Sequence, residues 1–234
     1  MSRRIDEAPV DFDDFAAEYD EALHHGVSIS GENKDYFARG RVEWVRRCLP
    51  DVRPERILDY GCGTGGSARL LRDVFGARSV LGIDTSAAAI AAAQRDAGGG
   101  IGFSRIDDFQ PGADVDLAYC NGVFHHVSPP DRPAAVRCVY DALRPGGWFA
   151  MWENNPWNPG TRIVMSRIAF DRDAVMLSAL EARRMLRDGG FEVVHLRFLF
   201  IFPRMLGALR PLEAHLSRLP LGAQYQALCR KPLY

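Results

Sequence analysis

Ile57-Leu58-Asp59-Tyr60-Gly61-Cys62-Gly63-Thr64-Gly65-Gly66 is the stretch that decides how this chain folds. A short apolar run (56–60) leads into it, and residues 67–74 read as a helix beyond it, so the segment is strand, glycine turn, helix. Gly61 permits the tight turn, Gly63 lets a ligand press on bare backbone, and Gly66 lets the helix pack close to the strand. Glycines so spaced serve several nucleotide ligands, and two acids narrow the choice. Asp59 stands two residues ahead of the first glycine, where an anion repels a pyrophosphate but receives an ammonium, directly or through water. Asp84 closes the next apolar run, 79–83, where a carboxylate accepts ribose hydroxyls.

The alternation continues outward. An alanine-rich helix begins at Thr85 and stops at Gly98-Gly99-Gly100, and strands follow at 101–105, 115–120 and 148–153. A helix over 133–143, closed by Arg144-Pro145-Gly146-Gly147, joins the last two. Strand, helix, strand at this spacing means right-handed crossovers and a parallel sheet, hence an α/β fold. Upstream, Phe12, Phe15 and Tyr19 fall on one helical face, and residues 36–49 form a second helix stopped by Pro50. Downstream the rhythm breaks: a Pro/Asn-rich loop at 154–160, a helix at 178–188, a strand at 191–202, a helix at 204–219 and a final strand at 223–230.

Composition bounds the rest. The chain's 234 residues suffice for one full core, and 47% apolar with 25% charged residues is ordinary for a soluble globular protein. A formal net charge of −1 gives no whole-molecule field for nucleic acid or anionic membrane. The five cysteines are scattered and contain no C-x-x-C, which reads as reduced thiols. Acidic residues stand where a signal peptide would be apolar, and no run approaches membrane-spanning length. A cytoplasmic protein is expected.

The D-x-G-x-G-x-G of Asp59 to Gly65, the acid at Asp84, and Leu143-Arg144-Pro145-Gly146-Gly147 before the fifth strand together resemble the class I S-adenosylmethionine-dependent methyltransferases. The small-molecule branch that includes the quinone-biosynthesis type is nearest, and the likeness spans about residues 55–153. It implies a Rossmann-like seven-stranded, mostly parallel sheet with an antiparallel last strand and helices on both faces. It implies one domain over 1–234, with an N-terminal helical lid (1–50), a cofactor-binding core (51–153) and substrate-side loop and C-terminal strands (154–234). S-adenosyl-L-methionine would be the cofactor and S-adenosyl-L-homocysteine the product. Asp59, Gly61 and Gly63 would hold the amino-acid part, with Cys62 a small filler in the same loop. Asp84, followed by Thr85, would hold the ribose; Asp107 or Asp108 the adenine amino group, with Phe109 an apolar wall; Asn121 would lie near the methionine portion.

Open parallel sheets bind ligands beyond the carboxyl ends of their strands, which puts 121–127 beside the reacting methyl. Methyl transfer needs alignment, exclusion of water and, for a protonated acceptor, a base. His125 is the first candidate and His126 the second. Glu153, Asn154, Asn155 and Trp157 suit a polar, planar or sugar-like acceptor, and Tyr19, Tyr36, His24 and His25 belong to the lid. Trp44 and the 198–202 stripe read as core, and Arg162, Arg167, Arg183 and Arg184 as a solvated face. No metal site is expected; His125, His126 and Glu153 are the combination nearest to one.

The expected activity is methyl transfer to O, N or C of a small metabolite, whether secondary metabolite, quinone-like or sugar-containing. The small-molecule methyl acceptor is the expected partner, without nucleic acid or membrane, in a monomer or homodimer. An NAD(P)-dependent oxidoreductase shares the glycine loop and Asp84, yet leaves Asp59 without a role, and no Tyr-x-x-x-Lys pair appears. An amino-methylating nucleic-acid enzyme would carry N/D/S-P-P-aromatic where Asn121-Gly122-Val123-Phe124 stands. A non-catalytic S-adenosylmethionine-binding protein is the third alternative.

Overall fold

The strand Arg56–Tyr60 (β1) lies inside a seven-stranded sheet in a computed structural model that describes residues 30–168 and 174–234. Helix α1 (Lys34–Cys48) precedes it, and α2 (Gly66–Phe75), β2 (Ser79–Asp84), α3 (Ala87–Arg95) and β3 (Ile101–Arg105) follow. Next come β4 (Val115–Asn121), α4 (Arg132–Ala142), β5 (Leu143–Asn154), α5 (Pro159–Arg167), α6 (Ala179–Asp188), β6 (Glu192–Leu199), α7 (Glu213–Leu216) and β7 (Gln224–Arg230). The strand order is β3-β2-β1-β4-β5-β7-β6, and β7 runs antiparallel to both β5 and β6. The chain leaves β1 toward β3 and returns on the other side at β4, so the topological switch lies between β1 and β4.

Strand side chains alternate between two apolar layers, as a sheet covered on both faces requires. Ile57, Leu117, Ala150 and Leu228 pack with α1, α2 and α3 through Val42, Val45, Leu71 and Ile90. Leu58, Ala118, Met151 and Ala227 pack with α4 and α6 through Val136, Ala182 and Leu186. Asp59 has the parity of Ile57, which turns it toward the α1 side.

Several sequence expectations are corrected. Residues 144–147 are not a turn closing the helix: β5 already begins at Leu143, paired with Val115, and the pairing shifts register before Leu117 meets Trp148. Gly146, at φ +75, carries that irregularity. The Pro/Asn loop ends sooner than expected, because Asn158 caps the amide of Thr161 and Pro159 opens helix α5. The strand expected to reach 202 stops at Leu199, after which Phe200 adopts φ +61. Glu213 then accepts the amides of Ile201 and Phe202. The helix expected over 204–219 is a 3-10 segment, Arg204–Leu212, broken at Leu206 and carrying Pro211, followed by the single turn of α7.

Candidate active site

A cavity of about 890 Å³ opens beyond the carboxyl ends of β1, β2 and β4, near the upper end of small-molecule sites. Its floor is the glycine loop. Gly61 and Cys62 donate their amides to the carbonyl of Ile83 (2.8 and 3.0 Å), lashing the turn to β2. A Cβ on Gly61, at φ +73, would lie 2.2 Å from Val123, whereas one on Gly63 would meet nothing within 4 Å. The close-packing role expected of Gly66 belongs to Gly65: a Cβ there would meet Phe103 at 2.6 Å, and one on Gly66 nothing.

Two acids frame the floor. Asp84 accepts the amide of Gly63 (2.8 Å) on one oxygen and that of Ser86 (3.0 Å) on the other, so it braces the loop as well as facing the cavity. Asp59 is 1% exposed, and its Oδ2 accepts no hydrogen bond. Burial pushes its carboxyl up to about 7; the neighbouring Asp84 adds to the rise and Arg41 opposes it. The Oδ1 of Asn121, at the adjacent strand end, is likewise buried without a donor. Two orphaned acceptors on one cavity wall fit a ligand that brings its own N–H donors, an ammonium above all. Cys62 also lines the cavity; burial, with Asp59 and Asp84 beside it, pushes its thiol far up, the opposite of what a nucleophile needs.

Across from the floor stands the turn after β4. His125 is 4% exposed, and its Nδ1 lies 2.6 Å from Glu153 Oε2, while Glu153 Oε1 accepts the amide of Phe124 (2.7 Å). His126 packs its ring 4.1 Å from that of His125. Both histidines line the cavity. Of the expected site residues, Thr85, Tyr36 and Asn154 line it too.

Others stand elsewhere. Glu153 is wholly buried behind His125 and lies outside the walls. Asn155 is also wholly buried, its amide donating to the carbonyls of Pro220 and Gly222, so it fastens a turn. Trp157 is half exposed against Phe198. Asp107 is exposed and paired with Arg105 (2.7 Å), Asp108 is exposed, and Phe109 packs on the α4 side of the core; Ile106 occupies the cavity wall there instead. Arg162, Arg167, Arg183 and Arg184 are exposed. Tyr19, His24 and His25 lie outside the described residues, with the helix expected around Phe12 and Phe15. Among the described residues, no group of three His, Cys, Asp or Glu side chains can hold a metal ion, and no helix is long and apolar enough to cross a membrane.

Residues without a motif complete the walls. Arg41, on α1, is 8% exposed and donates to Tyr119 Oη (3.3 Å) and Gln224 Oε1 (3.0 Å). Gln224 in turn donates to Asn154 Oδ1 (3.1 Å). Arg210 lies 4.6 Å over the Tyr36 ring and pairs with Glu32 (2.9 Å). Phe37, Phe200, Phe202, Val164 and Met165 make this side apolar. Part of the stripe expected in the core therefore lines the cavity. An internal arginine amid apolar residues on α1 was the available signal for Arg41; nothing local marks Phe200, whose place follows from the left-handed turn after β6.

Residues 57–147 match the family model described as "Methyltransferase domain". The trans-aconitate 2-methyltransferase of Agrobacterium fabrum is 33% identical over 137 residues, 57% of this chain and 53% of that protein. The enzyme of the same name from Escherichia coli (strain 55989 / EAEC) is 30% identical over 164 residues, 67% of this chain and 64% of that one. The chain spans about half the length of the curated relatives it matches. Among solved structures, an S-adenosylmethionine-dependent methyltransferase from Mesorhizobium loti superposes with TM-score 0.61 at 24% identity, over 81% of this chain and 98% of that one. Phosphoethanolamine N-methyltransferase 2 of Haemonchus contortus, in complex with S-adenosyl-L-methionine, gives 0.63 at 16% identity, over 95% and 60%. These superpositions speak to the fold.

Proposed function

Residues 57–147 are a methyltransferase domain of the class I, S-adenosylmethionine-dependent kind, and we propose that the protein moves the sulfonium methyl of that cofactor to a small molecule. The observation that carries the reading is the orphaned acceptor pair, Asp59 Oδ2 and Asn121 Oδ1, set above the glycine loop with Asp84 beside them. Carboxylates there suit an adenosyl amino acid and oppose a dinucleotide's pyrophosphate.

In this reading Asp59 and Asn121 receive the ammonium, and Asp84 accepts a ribose hydroxyl with the lone pairs its backbone partners leave. Gly63 provides side-chain-free backbone against the ligand. When bound, the cofactor would supply an electrophilic methyl group to the acceptor's lone pair, with the neutral thioether as leaving group. His125 takes the acceptor's proton where it has one. Glu153, an acceptor only, holds the proton on Nδ1 and leaves Nε2 as the basic nitrogen. Tyr36, Phe37, Phe200 and Met165 exclude water from the transfer.

The same apolar wall supports an acceptor with a flat or greasy body and one ionisable group, in keeping with quinone-like and other secondary metabolites. A second reading follows from the relatives' names, a small carboxylic acid such as trans-aconitate as the methyl acceptor. The test is two-stage. S-adenosylhomocysteine should raise the melting temperature while NADH does not; the reverse would overturn the class. With labelled methyl donor, transfer to phenolic and quinol acceptors against trans-aconitate then decides between the two readings.

A further inference from the structure

We propose that Arg132 is the positioning residue of the base: it clamps from behind the turn that carries His125, and so keeps the imidazole on Glu153 and aimed at the acceptor. The inference rests on the reading above, and it assigns a role to a residue that stands outside the walls of the substrate cavity.

The clamp answers a backbone demand. After β4 the chain makes one tight turn, in which the amides of His126 and Val127 both donate to the carbonyl of Val123 (2.9 and 3.3 Å). A lone turn has no following coil to meet its later carbonyls, and a buried carbonyl without a donor is costly. Phe124 is fully buried and His125 nearly so. Arg132, the first residue of α4 and itself buried, supplies the donors. Its Nε–H is shared between the carbonyls of Phe124 (3.0 Å) and Val127 (3.1 Å), and its Nη2 donates to that of Val175 (2.6 Å). Val175 gives its own amide to the carbonyl of His125 (2.9 Å). One guanidinium therefore ties two segments, 124–127 and 175, around the histidine.

Backbone and ring are fixed together. Glu153 holds the amide of Phe124 on one oxygen and Nδ1 of His125 on the other (2.7 and 2.6 Å), so both contacts change if the turn slides. Phe124 is gripped on both sides, its amide by Glu153 and its carbonyl by Arg132. A slide of about 1 Å would carry Nδ1 out of hydrogen-bond reach of Glu153 and misaim the ring, an error worth about 100-fold in rate. Lysine keeps the charge, yet its single nitrogen cannot span carbonyls on two segments as a planar fork does. Arg132 also faces a second cavity, of about 490 Å³, with Leu177, Glu181 and Met185, which gives a small cation a way to the clamp that avoids the substrate.

The test is nitrogen NMR of the imidazoles in ligand-free protein, with the His125 signals identified by their loss in His125→Ala. Where the ring is neutral, wild type should carry the proton on Nδ1 alone. Arg132→Ala should give an averaged mixture of the two tautomers. Guanidinium ion at millimolar concentration, entering by the second cavity, should restore the single tautomer, and sodium ion should not. In the transfer assay, with trans-aconitate or the phenolic acceptor, Arg132→Ala should lower kcat about 100-fold while acceptor KM and S-adenosylhomocysteine affinity stay within about threefold. In the His125→Ala background the same substitution should cost nothing further. A single Nδ1 tautomer in Arg132→Ala, or losses that multiply in the double variant, overturns the proposal. Should Arg132→Ala not fold, Arg132→Lys takes its place, with the same tautomer mixture and the same non-additivity expected. Wild type with the proton on Nε2, or His125→Ala at full turnover, would instead strike the base assignment beneath.

Discussion

The two halves of the cavity are built in opposite ways. The half over β1 and β2 comes from one continuous stretch, residues 59–86, whose turns and amide contacts are local. The half beyond β4 is assembled from pieces distant in sequence: α1, the turn after β4, the start of α5, residues 200–203 and the entry to β7. Local construction makes a rigid, generic cradle; long-range construction makes a wall that can differ without disturbing it. The family-model match covers the first half's scaffold and stops at residue 147, before most of the second begins.

The sharpest way to break the comparison is at the seam, where His125, the proposed base, lines the second half of the cavity. His125→Ala should lower turnover about 10²- to 10⁴-fold, the usual worth of a positioned base, while S-adenosylhomocysteine affinity, which in the proposed reading rests on Asp59, Asp84 and Asn121, stays within about threefold. Glu153→Gln keeps the shape but removes the negative charge and leaves one acceptor oxygen for both the Phe124 amide and His125 Nδ1, so it should displace the acid limb of the pH–rate profile as well as reduce turnover. A structural role alone would not move that limb. Loss of cofactor affinity in parallel with turnover would show that the halves are one unit.

How far the sequence was readable follows the same division. The order of strands and helices along the chain and the glycine-loop residues were legible, since each rests on a local backbone demand or a short period; the antiparallel last strand was legible only through the family resemblance. Glu153 was legible as important and not as to where it points. Strand parity settles that: it shares a face with Met151, toward Phe124 and His125, while Asn154 shares the face of Trp152 and looks into the cavity. Asn155 shows the limit differently, since its partners lie some 65 residues downstream, at Pro220 and Gly222. Arg41 and Gln224 are 183 residues apart and meet only in the fold. No windowed pattern contains such pairs.

Within the first half, a pair of glycines tests whether the cradle is as local as it looks. Gly61→Ala would place a methyl 2.2 Å from Val123 at a backbone angle of φ +73. Left-handed strain and overpacking together should destabilise the protein by roughly 3–5 kcal/mol, read by urea unfolding. Gly66→Ala meets nothing within 4 Å and sits in the first turn of α2, where alanine should stabilise by about 0.5–1 kcal/mol. Equal effects at the two sites would mean that the loop is not held by the contacts described.

The last expected effect is the one that changes sign with the ligand. Asp59 is pushed up to about 7 by burial, with Asp84 raising it further and Arg41 opposing. An acid whose folded pKa exceeds its unfolded value stabilises the fold at low pH and loses that contribution as pH rises through the folded value. The window here runs from about pH 4 to pH 7 and just above. Ligand-free protein should therefore lose stability over that range, by on the order of 4 kcal/mol. Asp59→Asn should flatten the trend and be the more stable form at pH 8 in thermal melts. Added S-adenosylhomocysteine reverses the ranking, because an ammonium favours the ionised acid and binds asparagine poorly. Wild-type affinity should accordingly rise from pH 6 to pH 8 while the variant's stays flat. A wild-type melting temperature that does not fall across this range, with ligand-free protein, would show that Asp59 is already ionised and compensated, and that the cradle's charge is balanced before any ligand arrives.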